Sequence, residues 1–226
     1  MDCLELLRYD IDDAVEAFTA GCGSVLPYNV ITGHQVHGVR VAVVDHPDLT
    51  RQDLEGYDAF ITNLRDCAIG VRTADCIPVL MYDPVHQAVA AVHSGWKGTV
   101  AGISACAINA MALEYGTMAS DIKAVIGPGI CRKSFQVGQE VVRMFRDAGF
   151  PMERIYEWQG ECDGTPMRGG HHIDLSQANS WILESAGVQS FNIQTAGICT
   201  YIDSRFYSAR REGAACGRNI NAIKIK

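Results

Sequence analysis

Two apolar runs constrain this chain more than anything else in it. Residues 77–82 read Ile-Pro-Val-Leu-Met-Tyr, and residues 87–93 read Gln-Ala-Val-Ala-Ala-Val-His. Only four residues separate them, and these begin with the turn signal Asp83-Pro84. Neither run alternates cleanly between polar and apolar residues, so the pair reads as a β-hairpin buried inside the molecule. A buried hairpin needs other layers to cover it. Further strands are expected at 39–44, 59–61, 68–71, 123–126, 188–195 and 222–226. Helices are expected at 100–114, ending near Gly116, and at 137–148, ending at Gly149. A third is expected at 174–186, with Asp174 as its N-cap and Gly187 just past its end. The elements intersperse without strict βαβ alternation. The expected fold is therefore α+β, a mixed buried sheet with helices outside. Gly127-Pro128-Gly129-Ile130 follows a strand but lacks the spacing of a dinucleotide loop or a P-loop, and reads as a tight turn.

The length of 226 residues and the 48% hydrophobic content fit one domain spanning residues 1–226. Nineteen basic residues against 26 acidic ones give a net charge of −7. The densest basic group, Arg205, Arg210, Arg211 and Arg218, is interleaved with apolar and small residues. A polynucleotide partner is therefore not expected. No window holds eighteen uninterrupted apolar residues, so no membrane span is expected either. Met1-Asp2-Cys3-Leu4-Glu5 lacks the basic and apolar regions of a signal peptide. The nine cysteines are odd in number and scattered, which fits reduced thiols and a cytoplasmic protein.

Three segments place chemistry-bearing side chains beside helix breakers at the ends of apolar runs. They are Gln35-Val36-His37-Gly38, Thr73-Ala74-Asp75-Cys76-Ile77-Pro78 and His93-Ser94-Gly95-Trp96-Lys97-Gly98. Strand ends of this kind face the rim of a sheet, where loops form pockets. Two imidazoles and a thiolate, from His37, Cys76 and His93, suit Zn²⁺ and leave a fourth position open. Copper is the alternative metal for a His₂Cys set. Asp75 is placed to orient a ligand as a supporting carboxylate. Arg72 lies four residues before Cys76 and Lys97 four after His93. With Arg210 they are candidate binders of an anion.

The sequence resembles a known family over about residues 30–226. The segments that carry the resemblance are Asp58-Ala59-Phe60-Ile61-Thr62-Asn63, Thr73 through Val79, and His93 through Thr99, with Gln35-Val36-His37-Gly38 upstream. Ile126 through Ile130, Val137-Gly138, Ile173-Asp174-Leu175, Phe206 through Arg211 and Gly217-Arg218 follow in order. The family is the YfiH/YlmD, or laccase-domain, family. The resemblance implies a layered α/β/β/α fold and a metal triad at His37, Cys76 and His93. It also implies zinc-dependent phosphorolysis of purine nucleosides such as adenosine, inosine, guanosine and methylthioadenosine, with adenosine deamination in some members. The partners implied are a small-molecule nucleoside and phosphate. Phe135 departs from the tyrosine common at its position.

A second reading is the copper-dependent polyphenol oxidase for which the family was first described. A multicopper oxidase bridges its copper cluster with paired His-x-His segments. This chain has seven histidines and no His-x-His. A third reading is a metal-free hydrolase with Cys76 as nucleophile and His93 as base. A fourth is a structural zinc in a binding protein, which would need a fourth protein ligand.

Overall fold

In a computed structural model of the chain, which describes residues 6–160 and 169–226, the two apolar runs form the expected hairpin. Residues 1–5, with Cys3, lie outside the described residues. The chain begins with β1 (Leu7–Tyr9), β2 (Val15–Ala20), β3 (Val41–Val43), β4 (Ala59–Thr62), β5 (Ile69–Thr73), β6 (Ile77–Asp83) and β7 (Ala88–Ser94). It continues with α1 (Trp96–Val100), α2 (Ile103–Tyr115), β8 (Lys123–Ile126), β9 (Gln136–Val137), α3 (Gln139–Asp147) and α4 (Met152–Ile155). The remainder is β10 (Tyr156–Gln159), β11 (Gly170–Ile173), α5 (Leu175–Ser185), β12 (Ile193–Thr195), α6 (Ala209–Glu212) and β13 (Asn219–Ile225).

The hairpin runs antiparallel from Ile77 opposite Ser94 to Asp83 opposite Ala88. Its turn is closed by the Asp83 carboxylate, which accepts from the amides of Val85 at 2.8 Å and His86 at 3.2 Å. It forms the middle of a six-stranded sheet in the order β12-β8-β6-β7-β4-β3. Successive side chains point to opposite faces, and both faces are buried. Ile77, Val79, Met81, Ala90 and Val92 pack with Ile103, Ala107 and Met111 of α2 and Ile182 of α5. Leu80, Tyr82, Val89 and Ala91 pack with Ile69, Val71, Ile223 and Ile225. Those last four belong to a second, four-stranded sheet in the order β1-β2-β13-β5. The outer face of that sheet is met by Leu6, Tyr28 and Val30 from the chain's own loops. A small three-stranded sheet, β10-β11-β9, completes the mixed α+β architecture. No helix of the described residues is long and apolar enough to cross a membrane.

Several boundaries differ from the sequence reading. The helix expected over 100–114 is two helices, because Gly102 takes a left-handed conformation (φ +76°) between α1 and α2. The helix expected from 137 starts at Gln139, since Val137 pairs with His171 in β9. Of the strand expected over 188–195, only 193–195 join the sheet, parallel to β8; residues 190–192 form a 3₁₀ turn. The Asp174 cap is present: its carboxylate accepts from the Gln177 amide at 2.9 Å. Strands β1, β2, β10 and β11 were not expected.

Candidate metal centre

The hairpin register sets the site. Pro78 sits opposite His93, so Cys76, just before β6, meets His93 near the end of β7. The loop after β7 turns sharply and enters α1. The Thr99 hydroxyl accepts a hydrogen bond from Asn179 of α5 at 3.3 Å and lies 3.0 Å from the Gly95 carbonyl, which pins that turn. His37 arrives from a loop tied down twice. The Gln35 side-chain amide pairs with Arg72, donating to its carbonyl at 2.9 Å and accepting from its N–H at 2.8 Å. The buried Asp58 carboxylate accepts from the amides of Val36, His37 and Gly38 at 3.1, 2.9 and 2.8 Å. Under that clamp His37 adopts φ +62°, a conformation that costs energy outside glycine.

The structure thus brings His37, Cys76 and His93 together, with one donor atom of each within 4.8 Å of the others. Cys76 Sγ lies 3.8 Å from His37 Nε2. The two imidazoles meet edge to face at 4.9 Å between ring centres. His93 is buried, Cys76 half-buried and His37 exposed. One thiolate and two neutral imidazoles around a tetrahedral zinc stand about 3.5 Å apart, so the donors fit. The fit depends on Gly95: a Cβ there would sit 2.8 Å from His37 Cδ2 and 3.0 Å from Cys76 Sγ. A His-Cys-His group of this geometry could hold a transition-metal ion.

Electrostatics prepare two of these groups, Cys76 and His93. Burial pushes the Cys76 thiol up, but the neighbouring His93 and His37 overcome it and bring the thiol down to about 6. Burial pulls His93 down, and the Cys76 thiolate with the Asp58 hydrogen bond raises it to about 9. His93 Nδ1 lies 2.8 Å from Asp58 Oδ1. An ionised Asp58 keeps the proton on Nδ1 and leaves Nε2 for a metal or for the thiol.

Asp58 therefore holds the position in which the sequence reading put Asp75. The Asp75 carboxylate instead accepts from the Thr200 hydroxyl and from the Arg210 amide, both at 2.7 Å. It has no hydrogen bond to His37 or His93 among the described residues. Asp58 opens one of the segments that carry the family resemblance, but nothing local in the sequence marks it as the partner of His93. Its role depends on a loop some twenty residues away folding over it.

The triad forms the floor of a cleft of about 570 Å³. Of the expected anion binders, Arg72 lines it, joined by Arg51 and Arg218. The Arg218 guanidinium is spent on carbonyls of its own loop, donating to Ala214 and Gly217 at 2.9 Å each. The Arg51 Nε donates to the Gly33 carbonyl at 3.3 Å. The Arg72 guanidinium has no hydrogen-bond acceptor among the described residues. Burial and the charges of Arg51 and Arg218 lower its affinity for its proton. Lys97 and Arg210 are not among the residues lining the cleft. The Lys97 ammonium lies over the Trp96 ring at 5.6 Å. The Arg210 guanidinium donates to the carbonyls of Ser134 and Gln136 at 3.0 and 3.2 Å.

Fold and cleft together define an α+β protein with, among the described residues, a single His₂Cys donor set at the rim of a buried sheet, overlooked by arginines. The chain matches the family described as multi-copper polyphenol oxidoreductase laccase over residues 8–226, and it belongs to that family. It is 40% identical over 209 residues to a Bacteroides thetaiotaomicron protein named purine nucleoside phosphorylase, covering 89% of this chain and 75% of that one. It is 36% identical to adenosine deaminase RL5, from an unknown prokaryotic organism, covering 99% of this chain and 87% of that one. Among solved structures, the Bacillus licheniformis protein YfiH aligns with a TM-score of 0.85 and 25% identity, covering 100% of this chain and 98% of that one.

Proposed function

We propose that this protein is a zinc-dependent purine nucleoside phosphorylase, with His37, Cys76 and His93 as metal ligands. The observation that carries the reading is the Arg72 guanidinium. It is half-buried, without an acceptor among the described residues, and shares one cleft with the triad and two further arginines. Such a group fits a tetrahedral oxyanion, to which a guanidinium donates in bidentate fashion. Relatives named purine nucleoside phosphorylase support the substrate class.

Phosphorolysis forms a bond from a phosphate oxygen to C1′ of the ribose while the bond from C1′ to the purine nitrogen breaks. Positive charge develops on the ribose and negative charge on the purine. Arg72, helped by the charges of Arg51 and Arg218, holds the phosphate. Asp58 positions His93 through Nδ1 and His37 through its backbone. Asp75 joins the 200 and 210 segments to the loop that carries Cys76. Bound zinc supplies a Lewis acid with a filled d shell and no redox couple. Inosine and adenosine are the first substrates to test, with guanosine and methylthioadenosine beside them.

A second reading, adenosine deamination, is favoured by the relative of that name, which spans almost the whole chain. One assay separates the readings. The zinc-loaded protein is given adenosine or inosine with and without phosphate, and the products are resolved. Free base with ribose 1-phosphate, formed only with phosphate, is the expected result. Inosine from adenosine without phosphate would show deamination. Absence of nucleoside turnover at every phosphate concentration, or robust phenol oxidation by the zinc form, would overturn the phosphorylase reading. A copper-exchanged sample tests the oxidase reading. The expected localisation is cytoplasmic, in keeping with reduced thiols.

A further inference from the structure

The seven described cysteines are all free thiols, and two of them face each other away from the triad. Cys131 precedes the 3₁₀ turn Arg132–Ser134, and Cys199 lies in the loop after β12. The Cys131 amide donates to Cys199 Sγ at 3.2 Å. Both thiols reach the Ser134 hydroxyl, at 3.5 Å from Cys131 and 3.9 Å from Cys199. The flanking backbone holds this arrangement. Thr200 donates to the Gly129 carbonyl at 3.0 Å and Gly129 to the Ile198 carbonyl at 3.3 Å, around a bridge between Gly129 and Cys199. Both side chains are half-buried, so a small reagent reaches them.

The pair is also asymmetric. Burial pushes both thiols up. At Cys199 the hydrogen bonds from Cys131 and nearby amides reverse that push and bring it below an ordinary thiol, whereas Cys131 stays above one. A more acidic thiol beside a less acidic one is the arrangement of an attacking and a resolving cysteine.

We infer that Cys131 and Cys199 form a reversible dithiol/disulfide site that small-molecule disulfides oxidise. The Cys199 thiolate attacks one sulfur of the reagent, forming a mixed disulfide and releasing one thiolate. Cys131 then gives up its proton and attacks the Cys199 sulfur. The Cys131–Cys199 bond forms and the second thiolate leaves. Two thiols have become one disulfide, and the reagent has become two thiols, carrying off two electrons and two protons. The product staples residues 129–131 to 198–200, the segments from which Ile130 and Thr200 hold Asp75.

The test uses the zinc-loaded protein, whose Cys76 is occupied under the reading above, with oxidised glutathione as the probe. After alkylation under denaturing conditions and digestion, the expected product joins the Cys131 and Cys199 peptides, two hydrogens lighter than their sum and split by dithiothreitol. Cys131→Ser should stop at a glutathione adduct on Cys199. The oxidised wild type should unfold roughly 5 °C higher than the reduced form, because the bond closes a long loop. Glutathione adducts without the cross-link in the wild type, or a cross-link that joins other cysteines instead, would overturn the inference. The wild-type map decides the matter alone if Cys131→Ser does not fold. It stands apart from nucleoside turnover, so the two readings fail separately.

Discussion

Gly95 measures how closely His37 and Cys76 approach. Its backbone is ordinary, so the only cost of a side chain there is the collision with those two donors. Gly95→Ala should fold with unchanged circular dichroism yet retain less than about a tenth of the wild-type zinc, as shown by metal analysis. Full metal content in that variant would remove the triad from the metal. The two aspartates separate in the same assay. Asp58→Asn removes the acceptor of His93 Nδ1 and should weaken zinc binding about 10- to 100-fold, the usual loss for such a partner. Asp75→Asn should leave zinc in place. Arg72→Ala should raise the phosphate KM by at least tenfold and the nucleoside KM much less, while Lys97→Ala should change neither appreciably. His37, Cys76 and His93 were legible because each stands beside a helix breaker at the end of an apolar run. Arg51 and Arg218 were not. Their approach to Arg72 is made by the tertiary fold: Gly217-Arg218 is one of the segments that carry the family resemblance, but no spacing in the sequence brings it or Arg51 to Arg72.

At the scale of elements, what could be read was what obeys one rule at a time. The hairpin was legible because both runs are apolar throughout and a turn separates them. The split between α1 and α2 was not, because apolar spacing continues across Gly102 and only the left-handed turn there interrupts it. Strand β2, Val-Glu-Ala-Phe-Thr-Ala, was missed because Glu16 and Thr19 break its alternation on both faces. Thr19 is nevertheless buried: its hydroxyl donates to Asn221 at 2.7 Å, and Asn221 in turn donates to Thr73 at 3.0 Å. Buried polar links of this kind tie elements where no apolar pattern shows. Asn179 is the one that matters most to the site. It donates to the Leu175 carbonyl and to Thr99, and it accepts from Ser104 at 3.2 Å. Asn179→Ala leaves the buried Ser104 hydroxyl without its acceptor and removes one of the hydrogen bonds to Thr99, and should destabilise the protein by about 2 kcal/mol. Urea unfolding would measure this. A loss below about 0.5 kcal/mol would mean that the turn after β7 is held by packing alone.

The molecule as a whole carries a net charge of −7, yet three arginines overlook its cleft. The local field there opposes the global one, so salt should weaken phosphate binding by screening the arginines. Acidity also reaches the site through the Cys76–His93 pair. The folded thiol titrates near 6 rather than its ordinary 9, so its stabilising effect is full above 9 and is lost as pH falls through 6. The folded imidazole titrates near 9 rather than 6.5, so its effect is full below 6.5 and is lost as pH rises through 9. Thiolate and imidazolium therefore coexist between about 6 and 9 in the metal-free protein. Metal-free wild type should show thiolate absorbance that appears near pH 6 and is missing in Cys76→Ser. Its resistance to urea should change little between about 6.5 and 9, where the rising contribution of the thiol and the falling contribution of the imidazole offset each other. A wild-type thiolate that appears only near pH 9 would show that Cys76 and His93 do not form the pair. The proximity of His37, Cys76 and His93 would then lack the electrostatic coupling that readies Cys76 as a deprotonated ligand.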